Sequence, residues 1–516
     1  MNNPDLLDPD TPDDVVVRDH LRVTTRSTTA ETELAVGHQP FPDRTPRHRL
    51  VAIGDSISHG LTSGAVFRTD RSFPAVVAEA LECTFDIPHY AGPLDGLPLN
   101  IEALSHRLIG TRSTLGWRHI PGMTWRLWRA INANEDYWER GGGRTNASRQ
   151  RYHNVAIYGW DLRDSLSVRH DTVRERASAP THDHFAQVKP EHDNDIAAAS
   201  VLAGFDGAAT QLDAATELGR DGGIDTLIVE LGANNALPTV TSKRVRWSGD
   251  DYQKPGSKSR YTVWRPTHFE HEYRALADRL GEIDARRVVL VTVPHVTIAP
   301  FAKGINPDQP GHKLREDSRY FPLYVDPWIP ERHIDRHKVR HLTHQQARAI
   351  DAAIDQYNDT IQDVVRRARL GGRDWCLFDL CHLLDRLAFR RYVTSPETAE
   401  RNGIQPYQLQ DGIAALDTRW FSSDRSGRTA GGLFGLDGIH PTITGNAVIA
   451  RELLWTLQSV GAASSPASID LDAALRVDSL NSHPPKSLDR LVELVAPFAR
   501  HFVSRIPKSD RTSKGT

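Results

Sequence analysis

Cysteine is scarce in this chain of 516 residues, which has only Cys83, Cys376 and Cys381. These three form no C-x-x-C pair, and an odd number leaves no complete set of disulfide bonds. The pattern excludes a disulfide-stapled scaffold of the kind found in small secreted domains. It favours reduced thiols and a cytoplasmic location.

A long hydrophobic run and an excess of positive charge are also missing. No stretch approaches the roughly 18 apolar residues that a membrane-spanning helix needs. The formal net charge is -3, so the sequence offers neither a basic surface for nucleic acid nor a polybasic membrane anchor. The acidic, proline-rich start of the chain is unlike a signal peptide. We therefore expect a cytoplasmic protein with no nucleic-acid partner and no integral membrane association.

The hydrophobic content of 39% is instead typical of a globular protein with a substantial core. Residues 1–46 lack hydrophobic periodicity and predict a flexible N-terminal arm. Residues 47–460 carry the pattern of a folded domain. Residues 461–516 begin with a linker rich in Ser, Pro and Asp and continue into a predicted C-terminal helix. The apolar face of that helix comprises Leu488, Leu491, Val495, Phe498 and Phe502.

Short apolar runs alternate with helical patterns through the predicted domain. Strands that are almost entirely apolar predict a parallel sheet covered on both faces, here a three-layer α/β/α fold with about five strands. The longest predicted helix has Thr343 and Gln346 placed for a capping box at its start. The predicted strands are HRLVAIG, HNVAIYG, IDTLIVELGANN, RRVVLVTVPHV and DWCLFDL.

Four long stretches interrupt this alternation and predict insertions that form a lid or an oligomer surface. Three tryptophans of the first insertion, Trp125, Trp128 and Trp138, have two interpretations. They pack within an inserted helix, or they stack on a sugar or an acyl chain. The predicted insertions are residues 92–150, 238–265, 299–342 and 388–432.

Polar residues and glycines follow the predicted strands, where open parallel sheets bind their ligands. Ser56 follows the first strand in VAIGDSISHG, Gly159 follows the second, and Asn234 follows the third. Asp437 and His440 lie in GLDGIHPT, just before a predicted helix. A serine nucleophile needs a base, and the base needs a third group to orient it. Asp437 and His440 are three positions apart, so one short turn can bring the carboxylate beside the imidazole.

The same positions also supply hydrogen-bond donors for a tetrahedral oxyanion. The backbone N–H groups of Ser56 and Gly159 and the side-chain amide of Asn234 are the candidates. Each residue has a structural alternative, because Gly159 suits a tight turn and Asn234 suits hydrogen bonding within its own loop. Asp437 likewise suits a helix cap, and His440 suits the surface. Taken together and in this order, the five residues predict a serine acyl-transfer site with Ser56 as the nucleophile.

The blocks GDSIS, NVAIYG, GANN and DGIHPT resemble, in this order, the signature blocks of the SGNH or GDSL-type serine hydrolase family. SFPAVVAEAL and VTVPHV also resemble the first helix and the fourth strand end of that family. The resemblance covers the core elements between about 48 and 458, but neither the insertions nor the two ends of the chain. It implies a three-layer α/β/α fold with about five parallel strands.

The resemblance further implies an esterase or lipase-like activity on a small-molecule, lipid or carbohydrate ester, with no metal and no organic cofactor. Ser56 would be the nucleophile, His440 the base and Asp437 its partner. Gly159 and Asn234 would complete the oxyanion hole.

The chain departs from the family at the residue after the oxyanion asparagine. The family usually has Asp there, whereas this chain has Asn235. The departure concerns how the loop is fixed more than the chemistry, because Asn234 is the proposed donor.

A metal-dependent hydrolase is a competing interpretation. His333, His337, His341 and His344 lie near helical spacing in HIDRHKVRHLTH and could share a face that binds zinc. An N-cap at Thr343 would break that face before the last histidine. Structural or solvated histidines are therefore the favoured interpretation.

Two further alternatives concern the serine site itself. An acyltransferase would use the same residues and differ only in the acceptor that takes the acyl group. A binding protein on a hydrolase-like fold would use none of the chemistry.

Overall fold

The computed structural model describes most of the predicted domain and short segments outside it. The described residues are 8–17, 45–109, 120–144, 149–178, 189–254, 257–306, 320–329, 339–388, 406–464 and 466–489.

The protein is of the mixed α/β class, with a central sheet of four parallel strands. The strands are β1 (His48–Gly54), β2 (Ile224–Glu230), β3 (Ala285–Val291) and β4 (Asp374–Phe378), and they lie side by side in that order. Every residue of β2 is buried, as its apolar sequence predicts for a strand inside a domain. The predicted parallel sheet is therefore confirmed.

The predicted strand HNVAIYG is only an extended segment beside β1. The N–H of Ala52 donates to His153 O (2.9 Å), and the N–H of Ile157 donates to Gly54 O (3.0 Å). The side-chain amide of Gln211 donates to Val155 O (2.7 Å) and to Gly54 O (2.8 Å). Val155 O therefore accepts from a side chain where a regular parallel ladder would pair it with the N–H of Gly54. One parallel bridge, between Ala52 and Asn154, is all that remains of the ladder. The regular sheet thus has four strands where about five were predicted.

Helices occupy much of the chain between and after the strands. The helix Pro266–Leu280 packs against His344–Leu370, and Phe73–Ala80 packs against Ile443–Ser459. The remaining helices of the described residues are Ser56–His59, Ile101–Ile109, Ile120–Glu139, Leu162–Ser167, His170–Arg176, Asp193–Leu202, Gln211–Arg220, Pro238–Ser242, Leu380–Leu387, Leu471–Val477 and Ser479–Ser482. Within these described ranges, every helix is too short or too polar to span a bilayer.

The longest helix, His344–Leu370, begins as the sequence predicts. Thr343 is its N-cap and accepts a hydrogen bond from the N–H of Gln346 (3.2 Å). The side chain of Gln346 accepts one from the N–H of Thr343 in return (3.2 Å). The ring of Tyr357, on the buried face, stacks on Phe269 with centroids 3.9 Å apart. The capping box and this aromatic contact fix the helix at two places along its length.

Small antiparallel sheets add to the predicted insertions. One of them lies along residues 303–343 and another lies near residue 425, so these insertions carry secondary structure of their own. The strands of the small sheets are Leu61–Thr62, Ala65–Val66 and Leu97–Pro98; Lys303–Ile305, Leu323–Val325 and Leu342–Thr343; and Ser422–Ser423 and Arg428–Ala430.

Residues 8–17, within the predicted N-terminal arm, pack on the domain. Asp14 forms an ion pair with Arg265 (2.9 Å) and accepts a hydrogen bond from the Thr267 hydroxyl (2.6 Å). The side chain of Val15 is fully buried. This part of the segment is therefore held in place by both charge and apolar burial.

The chain after residue 460 also contacts the domain where it is described. Leu488 packs with Phe421, Leu436 and Leu480 in a small buried cluster. The other apolar positions of the predicted C-terminal helix, from Leu491 to Phe502, lie outside the described residues.

We expect Thr343→Ala to lower the free energy of unfolding by about 1 kcal/mol, because the longest helix loses its N-cap hydrogen bond. Thr343→Ser keeps the hydroxyl and should lose less than about 0.5 kcal/mol. Urea unfolding of the two variants beside the wild type measures both values. Equal losses would show that the methyl group of Thr343, and not its cap, stabilises the helix.

Candidate active site

Ser56 lies at the first position of a short helix that follows β1. Asp55 caps this helix and accepts a hydrogen bond from the N–H of Ile57 (3.3 Å). A side chain at Gly54 would collide with the Ser58 hydroxyl, because an added Cβ would lie 2.4 Å from it. The strand can therefore end against the helix only with glycine at position 54. The Ser56 side chain is buried at this junction.

Ser56, His440 and Asp437 form a continuous hydrogen-bonded relay. The Ser56 hydroxyl donates to His440 Nε2 (2.8 Å), and His440 Nδ1 lies 3.0 Å from Asp437 Oδ2. A carboxylate can only accept, so Nδ1 carries the proton of the neutral ring and Nε2 is free to accept. The arrangement can move a proton from the hydroxyl to the imidazole.

The Asp437 carboxylate is held ionised by its surroundings. Oδ1 accepts from the N–H groups of Ile439 (2.9 Å) and His440 (3.0 Å), and Oδ2 accepts from the N–H of Gly64 (2.8 Å). Burial by itself raises the pKa of Asp437. The electrostatic attraction and ring N–H of His440, with the backbone donors, outweigh burial and bring the pKa of Asp437 below its ordinary value.

The turn that carries Asp437 and His440 is supported by two predicted insertions. Gly438 has a φ of +65°, and an added Cβ would lie 2.3 Å from the ring of Trp420. Its carbonyl accepts a hydrogen bond from the N–H of Phe301 (2.8 Å). Glycine is therefore required both by the backbone conformation and by the close approach of an aromatic ring.

Gly159 lies in a loop next to the Ser56 helix, because the N–H of Ile157 is bonded to Gly54 O. Its φ is +76°, and an added Cβ would lie 1.8 Å from Asn194 Nδ2. The carbonyl of Gly159 accepts from Lys258 Nζ (3.1 Å), a residue of the predicted insertion 238–265. In the described part of the chain, the N–H of Gly159 has no acceptor.

The buried side chain of His59 also holds the Gly159 loop in place. Its Nδ1 accepts a hydrogen bond from the N–H of Tyr158 (3.2 Å), and Nε2 lies 3.0 Å from the Tyr90 hydroxyl. Burial lowers the pKa of His59 to about 3, so its ring stays neutral. The residue before Gly159 is thereby fixed by a side chain that the sequence did not single out.

Asn234 lies in a short turn after β2 and is joined to the Gly159 loop. Its Nδ2 donates to the carbonyl of Trp160 (2.9 Å). A primary amide has two N–H bonds, so the second remains for a ligand. The structure thus brings the Gly159 and Asn234 loops together.

Asn235, the residue after the candidate oxyanion donor, helps to fix this loop. Its Oδ1 accepts from the N–H of Leu162 (3.3 Å), and its carbonyl accepts from the N–H of Trp264 (2.9 Å). The first contact needs only a side-chain acceptor oxygen, which Asn supplies without a charge, and the second uses a backbone carbonyl. The amide Nδ2 of Asn235 is buried and has no partner among the described residues.

Next to Ser56 lie two buried carboxyl groups, those of Asp55 and Glu230, that no sequence motif singled out. Glu230, the last residue of β2, accepts from the N–H (3.3 Å) and hydroxyl (2.9 Å) of Ser58 and is hydrogen-bonded to Asp55. Burial and then the neighbouring Asp55 raise the pKa of Glu230 well above its ordinary value. Burial also raises the pKa of Asp55. Two adjacent buried carboxylates do not ionise together, so Glu230 keeps its proton. The available signal was one acid ending the apolar strand IDTLIVE.

The histidines of the competing metal interpretation do not share a helix where they are described. The helix begins at His344, and His341 precedes it with Nδ1 near the carbonyl of Val339 (2.9 Å). His333 and His337 lie outside the described residues.

The three tryptophans of the first insertion separate into two kinds. Trp138 is buried and donates its Nε1–H to the carbonyl of Gly96 (2.9 Å), which is a packing role. Trp125 and Trp128 are exposed on the same helix.

Comparison with known proteins gives no family or relative for this chain: no protein-family model and no curated protein matches it.

We expect the variant Glu230→Gln to lose less stability than the wild type as the pH rises. Folded Glu230 binds its proton more tightly than the unfolded chain does. The stability that this bound proton contributes is complete below the ordinary pKa of 4.5. It is lost as the pH rises towards the raised pKa of Glu230 in the folded protein. Gln keeps a donor for Asp55 and an acceptor for Ser58. Over this window the wild-type unfolding free energy should fall more steeply, by up to about 1.4 kcal/mol per pH unit.

Urea unfolding at a series of pH values measures this slope. Glu282→Gln is the matched control, because Glu282 is exposed (73% of its side chain). Parallel wild-type and Glu230→Gln curves would contradict a proton held at Glu230.

Proposed function

We propose that this protein is a serine ester hydrolase of the SGNH or GDSL type, with a three-layer α/β/α catalytic domain. The observation that carries the proposal is the relay from Ser56 through His440 to Asp437, with contacts of 2.8 and 3.0 Å. The resemblance of the sequence blocks supports it. The four-stranded parallel sheet is consistent with that fold.

The reaction proceeds through a covalent acyl-enzyme. Ser56 Oγ attacks the ester carbonyl while His440 Nε2 takes the hydroxyl proton, and Asp437 stabilises the imidazolium that forms. His440 then gives this proton to the departing alcohol. A water molecule attacks the acyl-enzyme with His440 again as the base, which releases the acid and restores Ser56.

The oxyanion of each tetrahedral intermediate is stabilised by donors from three loops. The candidates are the backbone N–H groups of Ser56 and Gly159 and the second N–H bond of the Asn234 amide. Gly159 supports this role because its N–H has no acceptor in the described part of the chain. Asn234 supports this role because one N–H bond of its amide is held by the carbonyl of Trp160, which fixes the orientation of the other.

The substrate class is a small-molecule, lipid or carbohydrate ester. Phe301 and Trp420, which contact Gly438 in the turn between Asp437 and His440, come from the insertions. We infer that the insertions, which a compact family member lacks, also shape the acyl pocket.

We expect Ser56→Ala to reduce hydrolysis of p-nitrophenyl esters by at least about 10,000-fold, because the variant has no nucleophile. The assay uses acyl chains from acetate to laurate, with and without a chelator. A fluorescent phosphonate probe should label the wild type and Ser167→Ala, a surface control, but not Ser56→Ala. Labelling of Ser56→Ala would overturn the proposal. A wild type that neither hydrolyses the p-nitrophenyl esters nor reacts with the phosphonate probe would favour a binding protein.

We expect Asn234→Ala to lower kcat by about 100- to 1,000-fold with little change in KM, because the lost donor acts mainly on the oxyanion. Steady-state kinetics on the best p-nitrophenyl ester measures both constants. Thermal unfolding checks that the variant folds. Wild-type kcat in a folded Asn234→Ala protein would remove Asn234 from the mechanism.

A further inference from the structure

A second group of reactive side chains lies outside the serine relay. His295 follows β3, and Cys381 and Asp385 lie one turn apart on the helix Leu380–Leu387. One potential ligand atom from each residue lies within 4.8 Å of the others. His295 and Cys381 are buried, whereas 27% of the Asp385 side chain is exposed. The group is therefore shielded from solvent at His295 and Cys381 and reached by solvent at Asp385.

The imidazole of His295 has a carboxylate at each nitrogen. Nδ1 lies 2.9 Å from Asp385 Oδ2, and Nε2 lies 3.4 Å from Asp355 Oδ1 on the helix His344–Leu370. Histidines that ligate metals almost always donate the N–H of their other nitrogen to a carboxylate or carbonyl, which orients the ring. The carboxylate nearest Nε2 is that of Asp355, while Nδ1 faces Asp385.

We propose that His295, Cys381 and Asp385 bind a zinc ion, and that Asp355 orients His295 from outside the metal. One thiolate, one imidazole and one carboxylate form a donor set that suits Zn²⁺ better than Mg²⁺ or Ca²⁺, which prefer oxygen ligands alone. Three protein ligands leave a fourth position for water, on the side where Asp385 is exposed. The family resemblance implies no metal, and this ion takes no part in the proposed serine mechanism.

The spacing of the ligand atoms is compatible with this ion after a small adjustment. Zinc bonds of about 2.0 to 2.3 Å in a tetrahedral site place ligand atoms roughly 3.3 to 3.8 Å apart. Binding requires the Cys381 thiol and Nδ1 of His295 to lose their protons, and both protons leave to solvent. The bond from Nδ1 to Asp385 is then replaced by two bonds to the metal.

The site is connected to the serine relay through a short segment. The chain runs from His295 through a single turn, Val296–Ile298, to Phe301. The N–H of Phe301 donates to the carbonyl of Gly438, between Asp437 and His440. A metal at His295 would therefore fix the far end of the segment that supports the catalytic turn.

The test is calorimetric titration of chelator-stripped full-length protein with Zn²⁺, together with Co²⁺ substitution. We expect one zinc per chain and a higher Tm with the ion. Cobalt bound to a thiolate should show a ligand-to-metal charge-transfer band. Cys381→Ala should abolish this band and weaken zinc binding by more than about 100-fold, whereas Asp355→Asn should weaken it by about 10- to 100-fold. Cys83→Ala, which removes a thiol elsewhere, is the control and should bind as the wild type does.

Two results would overturn the proposal. Failure of the stripped wild type to bind zinc or cobalt would identify the group as an imidazolium held between carboxylates. Unchanged zinc binding in Cys381→Ala would place the ion elsewhere, for example on the histidines near residue 340. Asp385→Asn provides the same test if Cys381→Ala does not fold. These measurements do not depend on esterase activity.

Discussion

The Asp437 carboxylate is the contact on which the candidate site depends. It accepts hydrogen bonds from its own turn, from the His440 ring and from the N–H of Gly64. The last of these joins the turn to the chain segment that leaves the Ser56 helix. The Asp437 carboxylate thus sets the conformation of the turn and its position against Ser56. Without it, the imidazole would have neither a fixed tautomer nor a fixed direction.

The sequence was sufficient where a local pattern decides the structure. The capping box at Thr343 and the apolar run of β2 need no distant partner, and both were found as predicted. The spacing of Asp437 and His440 likewise fits one turn. The irregular segment beside β1 could not be predicted, because Gln211, 56 positions along the chain from Val155, reaches the Val155 carbonyl only once the chain has folded. The proton that Glu230 keeps beside Asp55 also results from tertiary burial, which apolar periodicity does not record.

The predicted insertions do more than surround the core. Lys258 donates to the carbonyl of Gly159, and Phe301 and Trp420 contact Gly438 in the turn between Asp437 and His440. Each of these contacts bears on a loop at the candidate site. The insertions therefore act as supports for that site, and their removal would loosen the same loops that the sheet presents.

The separation of Ser56 and His440 along the chain also determines when the site can exist. They are 384 positions apart, and ribosomes add about 5 to 20 residues per second. Ser56, the candidate nucleophile, is consequently made roughly 20 to 80 seconds before His440, its candidate base. During translation the nascent chain carries an unactivated serine, and premature termination anywhere before position 440 yields a product without a base. Activity on the proposed esters would therefore report synthesis of the chain at least as far as His440.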